Sequence, residues 1–191
     1  MDSIPIIYTE RLILRPWMES DLEDMYEYSC DERVGPYAGW AAHKSILEAK
    51  QALARLMNDR MTESRAIVLK SEGRAIGNIG IHNRSPRRPR WGRVERELGY
   101  VLNPRYWGNE YAPEAARAVM NYCFAIKKVD TLWCGHYEFN ENSRKVIEKL
   151  GFKLEIKRQE MLFHMDDRVE NAYYYKMDRR EYISLYRNGK I

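Results

Sequence analysis

The sequence predicts an α+β fold, a mixed and mostly antiparallel sheet of about seven strands flanked by helices. Three observations point there. Strand-like and helix-like stretches mix without the regular βαβ alternation of a doubly wound sheet. A run of turn-joined strands occupies the first half of the chain. In the middle, Glu97 to Phe124 reads as a strand, a short loop and a helix in direct succession.

Taken in order, Leu12 and Leu14 alternate with Arg11, Ile13 and Arg15, so Thr9 to Arg15 is a short strand that stops at Pro16. Ser20 with Glu23 has the spacing of a capping box and opens a helix running to about Ser29. Asp31 to His43, with Gly35-Pro36 and Gly39, reads as a loop carrying Tyr37 and Trp40. Ser45 and Glu48 form a second capping box before an amphipathic helix toward Arg60 that carries Ile46, Leu47, Ala49, Leu53, Leu56 and Met57. Arg65 to Lys70 and Arg74 to His82 form a hairpin about the Ser71-Glu72-Gly73 turn.

In the central stretch Leu98, Tyr100 and Leu102 alternate with Glu97, Gly99 and Val101, and the strand ends at Asn103-Pro104. A helix follows, with Pro113 suited to a first helical position, Glu114 to the positive end of the dipole, and Ala112, Ala115, Ala116, Val119, Met120 and Cys123 at helical spacing. Thr131 to Tyr137 is the next strand and Ser143 to Leu150 a short helix, stopped by Gly151 in a left-handed conformation with Phe152 as the apolar contact beyond it. Strands near Lys153 to Phe163 and Val169 to Met177 meet at a Met165 to Arg168 turn, and Arg179 to Tyr186 closes the chain as a helix.

The 191 residues suffice for one domain with a real core, and 45% apolar against 31% charged residues is the composition of a globular chain. No apolar run approaches the roughly 20 residues of a membrane span, and no basic segment followed by an apolar block opens the chain, so a cytoplasmic location without membrane contact is expected. Three cysteines, Cys30, Cys123 and Cys134, have neither metal nor disulfide-framework spacing and read as core thiols. The four histidines are scattered, and no metal is predicted. A net charge of +4 is too mild to imply nucleic acid. Arg84, Arg87, Arg88, Arg90, Arg93 and Arg96 nevertheless crowd one Pro-containing segment around Trp91, a local positive patch suited to an acidic surface.

The loop Arg105 to Tyr111 feeds straight into a helix N-terminus, where backbone N–H groups without intrahelical partners point the same way beside the positive dipole end. That arrangement suits a phosphate or pyrophosphate, with Gly108 allowing close backbone approach and Arg105 as an added cation. An ordinary strand-to-helix connection is the plain alternative.

Arg105-x-x-Gly108 before a helix, followed about thirty residues later by Asn140-x-x-Ser143 and Glu148-Lys-Leu-Gly-Phe152, resembles the GNAT superfamily of acetyl-CoA-dependent N-acetyltransferases. The opening Thr9-Glu-Arg-Leu-Ile-Leu-Arg15 narrows the resemblance to the branch of the RimJ/RimL ribosomal-protein N-terminal acetyltransferases, and the likeness runs from about Tyr8 to Tyr182. The resemblance implies a GNAT fold in which the central strand and the strand Thr131 to Tyr137 splay apart to admit acetyl-CoA, with CoA as product. The diphosphate would sit on the amides of Gly108, Asn109, Glu110, Tyr111 and Ala112, and the pantetheine arm would pair with the edge of Tyr100, Val101 and Leu102 as an added strand. Asn140 would bind the arm near the thioester. Tyr37 and Trp40 would line the acceptor side.

Attack of an amine on a thioester needs a neutral amine, a place for the developing oxyanion and a proton for the departing sulfur. Glu97 is the first candidate for base and Glu160 the second, two residues from the position where the branch carries its carboxylate; a salt-bridged strand residue is the plain alternative for each. Where many relatives place a tyrosine as general acid this chain has Ile147, and the resemblance passes that role to Ser143, for which an N-cap is the plain alternative. Glu110 replaces the small residue the loop pattern expects, and a carboxylate beside a diphosphate weakens binding unless it points away or faces the acceptor. The acceptor is expected to be an amine, a protein N-terminus or a small molecule, handled by a monomer or homodimer. A CoA-binding domain without catalysis and a ribosome- or RNA-docking module are the rival readings.

Overall fold

In the computed structural model, which describes residues 4–88, 90–162 and 167–189, eight strands form one sheet. In chain order the elements are β1 (Ile7–Tyr8), β2 (Leu12–Arg15), α1 (Leu22–Ser29), α2 (Gly35–Ala38), α3 (Ile46–Asn58), β3 (Thr62–Leu69), β4 (Arg74–His82), β5 (Glu95–Leu102), α4 (Tyr111–Asn121), β6 (Thr131–Tyr137), α5 (Glu141–Lys149), β7 (Lys153–Leu162), β8 (Arg168–Asp178) and α6 (Arg179–Arg187). The sheet order is β1-β2-β3-β4-β5-β6-β8-β7. Every neighbouring pair is antiparallel except β5 with β6. The strand beyond the expected seven is β1, whose two residues are too few to show a period.

Alternation along the strands divides the core between two faces. Leu12, Leu14, Ile67, Ile79, Leu98 and Leu132 pack with Ala115, Ala116, Val119 and Met120 of α4, Ile147 of α5 and Tyr182 of α6. Ala66, Val68 and Ala75 point the other way, toward Trp17, Met25 and Tyr28 of the α1 side and Leu53 of α3. A one-residue register slip would exchange the two faces, so burial on both sides fixes the pairing.

Several local expectations are corrected. Ser20 does not cap α1, because it lies inside a 3₁₀ turn over Glu19–Asp21. Asp21 holds the N-cap position of α1 without a side-chain cap bond; its carboxylate instead accepts the Met18 N–H at 2.9 Å and a forked pair of bonds from Arg15 at 2.7 Å each. Ser45 does cap α3, accepting from Glu48 N–H at 3.3 Å, but Glu48 reaches back one residue further, to Lys44 N–H at 2.8 Å. The loop from Asp31 to His43 holds the short helix α2. Helix α4 begins at Tyr111, which makes Pro113 its third residue, still within the turn that needs no N–H donor. Cys123 and Cys134 are buried as expected, while Cys30 is exposed. At the end of α5, Gly151 has φ 84° and its N–H bonds Glu148 O at 2.9 Å, while Phe152 N–H bonds Ile147 O at 3.3 Å, the paired bonds of a Schellman stop. The first two residues of the turn expected over Met165 to Arg168 lie outside the described residues.

Candidate active site

The site is made by a strand pair that starts together and parts. Glu95–Leu98 of β5 pair in parallel with Thr131–Cys134 of β6, and no pairing continues past Leu98 and Cys134. Beyond that point β5 stays bonded to β4 through Leu102, and β6 stays bonded to β8 through Tyr137. Each strand is thus held by its outer neighbour, and two unpaired edges face one another. Two cavities open there, one of about 950 Å³ and one of about 260 Å³. They share Tyr37, Ala38, Tyr100, Val101, Asn140 and Ser143, so the seam between them is the gap between the strands.

The smaller cavity lies against the N-terminus of α4 and is lined by Gly108, Glu110, Tyr111, Ala112, Arg33 and Lys145. Gly108 has φ 79°, and a Cβ there would meet nothing within 4 Å, which leaves the backbone open to a ligand. The end of α4 is itself anchored: Glu114 accepts from the Thr9 hydroxyl at 2.6 Å, the Arg11 N–H at 2.8 Å and Arg11 Nε at 2.7 Å. These are residues of the Thr9 to Arg15 motif, whose physical role is to fix the helix end that carries the free amides.

Some expected contacts lie elsewhere. Arg105 turns from the cleft to pair with Glu27 at 2.9 Å, so the cations lining the smaller cavity are Lys145 and Arg33, which no motif marked, and Arg33 is itself paired with Asp31 at 2.6 Å. Burial pulls the Glu27 carboxyl upward, but hydrogen bonds from Arg105, Arg74 and Asn103 outweigh it and hold the group at about 2; that ionised partner keeps Arg105 in place. The Asn109 amide donates to the carbonyls of Tyr106 and Trp107, both at 3.2 Å. Glu110 caps α4 from a left-handed conformation, φ 64°, and its carboxylate pairs with Lys149 of α5, which offsets its charge beside the cleft. Trp107 Nε1 donates to Leu102 O at 2.8 Å, so the usable edge of β5 is centred on Tyr100 and Val101.

At the seam, Tyr100 crosses the gap and its hydroxyl lies 3.2 Å from Ser143 Oγ. Burial pushes the Tyr100 phenol well above its ordinary value, which keeps it protonated and able to donate. Ser143 is the third residue of α5 and not its cap; Asn140 is the cap, accepting the Ser143 N–H at 3.0 Å and donating to Tyr37 O at 2.9 Å. Ile147 is fully buried in the core and lines neither cavity.

The larger cavity is lined by Glu97, Arg84, His82, Asn78, Tyr137 and Tyr174, together with Trp40 and Tyr28. Arg84 holds Glu97 through both oxygens, at 3.0 and 2.9 Å. Glu160 stands behind the wall, accepting the Tyr174 hydroxyl at 2.7 Å and pairing with Arg158. Tyr174 thus separates Glu160 from the cavity. Sequence reasoning missed the Tyr100 hydroxyl and the cavity faces of His82, Asn78, Tyr137 and Tyr174. The only available signal was register, since His82 pairs with Glu97, Asn78 with Val101, and Tyr137 with Ala172.

The expected positive patch is partly spent internally. Arg84 binds Glu97, Arg87 pairs with Glu95 at 3.6 Å over the Trp133 ring, and Arg96 donates to Glu95 O at 2.8 Å. Arg88, Arg90, Trp91 and Arg93 remain exposed. Among the described residues no helix is long and apolar enough to cross a membrane, and no three His, Cys, Asp or Glu side chains are grouped to hold a metal ion.

The split sheet thus carries one cavity against the N-terminus of α4, a larger one on the other side of the seam, and the Tyr100–Ser143 hydroxyl pair between them. The family model described as Acetyltransferase (GNAT) domain matches residues 11–153, and the chain belongs to that family of N-acetyltransferases. It is 29% identical over 154 residues to the "Uncharacterized N-acetyltransferase YoaA" of Bacillus subtilis (strain 168), covering 79% of this chain and 84% of that one. Among solved structures it resembles a GNAT-family acetyltransferase from Bacillus anthracis, with TM-score 0.80 and 26% identity over 93% of this chain and 100% of that one. The fold is also that of a ribosomal-protein-S5-alanine acetyltransferase from Vibrio fischeri, with TM-score 0.71 and 20% identity over 92% of this chain and 97% of that one.

Proposed function

We propose that the protein transfers the acetyl group of acetyl-CoA to a primary amine, and that the acceptor is a protein N-terminal α-amine, as in the RimJ/RimL branch, or a small amine presenting the same group. The observation that carries this reading is the meeting of the two cavities at Tyr100 and Ser143, which gives an anion-headed acyl donor and an amine separate entrances to one point. The residues present fit CoA: Gly108 leaves its backbone open to a ligand beside the N-terminus of α4, whose first amides lack intrahelical partners, and the edge at Tyr100 and Val101 is free to pair with an amide-bearing arm. Bound there, acetyl-CoA supplies an activated acetyl thioester.

In this mechanism Glu97, oriented by Arg84, takes the proton of the incoming ammonium through water. An α-amine, with a pKa of about 7.7 to 8, demands little of that base. Backbone N–H groups on the free edge of β5 stabilise charge developing on the carbonyl oxygen. Ser143, paired with the protonated Tyr100, returns a proton to the departing sulfur. Asn140 keeps one Oδ1 lone pair beside its bond to Ser143, enough to accept from an arm amide.

Glu97→Gln tests the base assignment. With the acceptor peptide, kcat/KM at pH 6.5 is expected to fall by about 100-fold, and the deficit shrinks as pH rises and the amine deprotonates unaided. Glu160→Gln, behind Tyr174, is expected to change the profile by less than about threefold, roughly 0.65 kcal/mol of barrier. A Glu97→Gln deficit of equal size at every pH identifies a structural anchor for Arg84 and removes Glu97 from the chemistry.

A further inference from the structure

One wall of the larger cavity is the face of β4 and β5 that carries Asn78, His82, Glu97, Gly99 and Val101. Gly80 of β4 pairs with Gly99 of β5, and the pair forms a trough between the His82–Glu97 pair on one side and the Asn78–Val101 pair on the other. The trough is tight: a Cβ at Gly99 would come within 3.0 Å of His82 Nε2, and one at Gly80 within 3.1 Å of Thr62 Cγ2.

At the Val101 end stands Asn78, with its amide orientation fixed from behind. Trp17 Nε1 donates to Asn78 Oδ1 at 2.9 Å and Ser64 Oγ donates to the same oxygen at 2.6 Å. Indole Nε1 is a donor only, so flipping the amide would set two donors against each other. The flip is forbidden by chemistry. The oxygen therefore faces Trp17 and Ser64, and the amino group faces the other way, with no hydrogen-bond partner among the described residues. Asn78 lines the acceptor cavity. It is one strand, about 4.8 Å, from the backbone of β5, whose other edge takes the acyl donor in the function proposed above.

We propose that Asn78 is the residue that selects the acceptor: its Nδ2 donates to an oxygen a few bonds from the attacking nitrogen, so the preferred substrates are α-amino carbonyl compounds and not simple alkylamines. A peptide N-terminus and a free amino acid both present such an oxygen. The inference rests on the acetyl-transfer reading and adds the chemical class of the acceptor. A site holding a fixed, otherwise unpaired donor discriminates strongly against a substrate that leaves it unpaired, whereas shape alone discriminates weakly.

Asn78→Asp is the informative change. It keeps an oxygen for Trp17 and Ser64 and replaces the donor with a second oxygen that repels a carbonyl. Thiol release from acetyl-CoA is measured with alaninamide, with free alanine and with isopropylamine, which matches alaninamide but lacks the carboxamide. The alaninamide-to-isopropylamine ratio of kcat/KM is expected to fall on the order of 100-fold in the variant, while the dissociation constant for CoA stays within about twofold, the change expected of a donor remote from the CoA cradle. Where isopropylamine turns over too slowly to time, the same ratio is read from binding of N-acetylalaninamide and N-isopropylacetamide to the enzyme–CoA complex. Wild-type preference for alaninamide over alanine identifies a peptide N-terminus as the source of the oxygen, and the reverse identifies an amino acid. Equal losses on both amines, or an unchanged ratio, overturn the inference and leave acetyl transfer standing. Wild-type enzyme that releases thiol with none of the three amines and with no N-terminal peptide overturns both.

Discussion

Gly108→Val is expected to weaken CoA binding by about 100-fold or more while the protein stays folded. Two or more backbone N–H groups reach the diphosphate only if the chain can follow φ 79° with nothing in the way. Hydrogen bonds to a charged group contribute roughly 1.5 to 3 kcal/mol each, so losing two reaches the 2.7 kcal/mol of a 100-fold change. The branched side chain would enter open space instead of protein, since no heavy atom lies within 4 Å of its Cβ. Left-handed backbone costs a non-glycine residue about 1 to 2 kcal/mol, which is why Gly73→Val is the control. Gly73 has φ 67° and the same open surroundings, but it sits in the β3–β4 turn. Both variants are expected to lose similar stability in a thermal melt, and only Gly108→Val to lose CoA in a calorimetric titration. A folded Gly108→Val protein with wild-type affinity removes the loop from the site.

Ser143→Ala is expected to lower kcat by about 10- to 100-fold, in the range of general acid catalysis, with acetyl-CoA affinity changed less than about twofold because the contact is made mainly in the transition state. Helix α5 survives, because its cap comes from Asn140 and not from Ser143. Tyr100→Phe is expected to have a similar effect, since its hydroxyl lies 3.2 Å from Ser143 Oγ. The double variant should then fall short of the product of the two single effects, as partners in one proton path do. Loss of helicity in step with activity would show that the serine acts only on the fold.

The sequence made the middle of the chain legible and the walls of the site less so. Glu97 to Phe124 announced strand, loop and helix because it carries period two, a turn dipeptide and then period 3.6 within one stretch. The Gly151 stop was legible because only a left-handed residue with an apolar follower makes that turn. Capping was harder. Ser143 matches cap spacing as well as Asn140 does, and the path of the chain after Tyr137 decided between them, while Ser20 fell inside a turn that Asp21 closes by accepting the Met18 N–H. The direction of Arg105 was likewise decided by Glu27, 78 residues away. Cavity faces were the least legible part. Asn78, His82 and Tyr174 carry no motif, and they meet Glu97 only through strand register.

The most direct measurement is amine-dependent thiol release from acetyl-CoA, with the acetylated amine identified by mass. Acetyl transfer at the seam of the two cavities predicts one thiol released per acetylated amine, saturable in both substrates and lost in Gly108→Val, with turnover reduced in Ser143→Ala. CoA binding with no thiol release above the solvent rate, across N-terminal peptides and small amines alike, would contradict it.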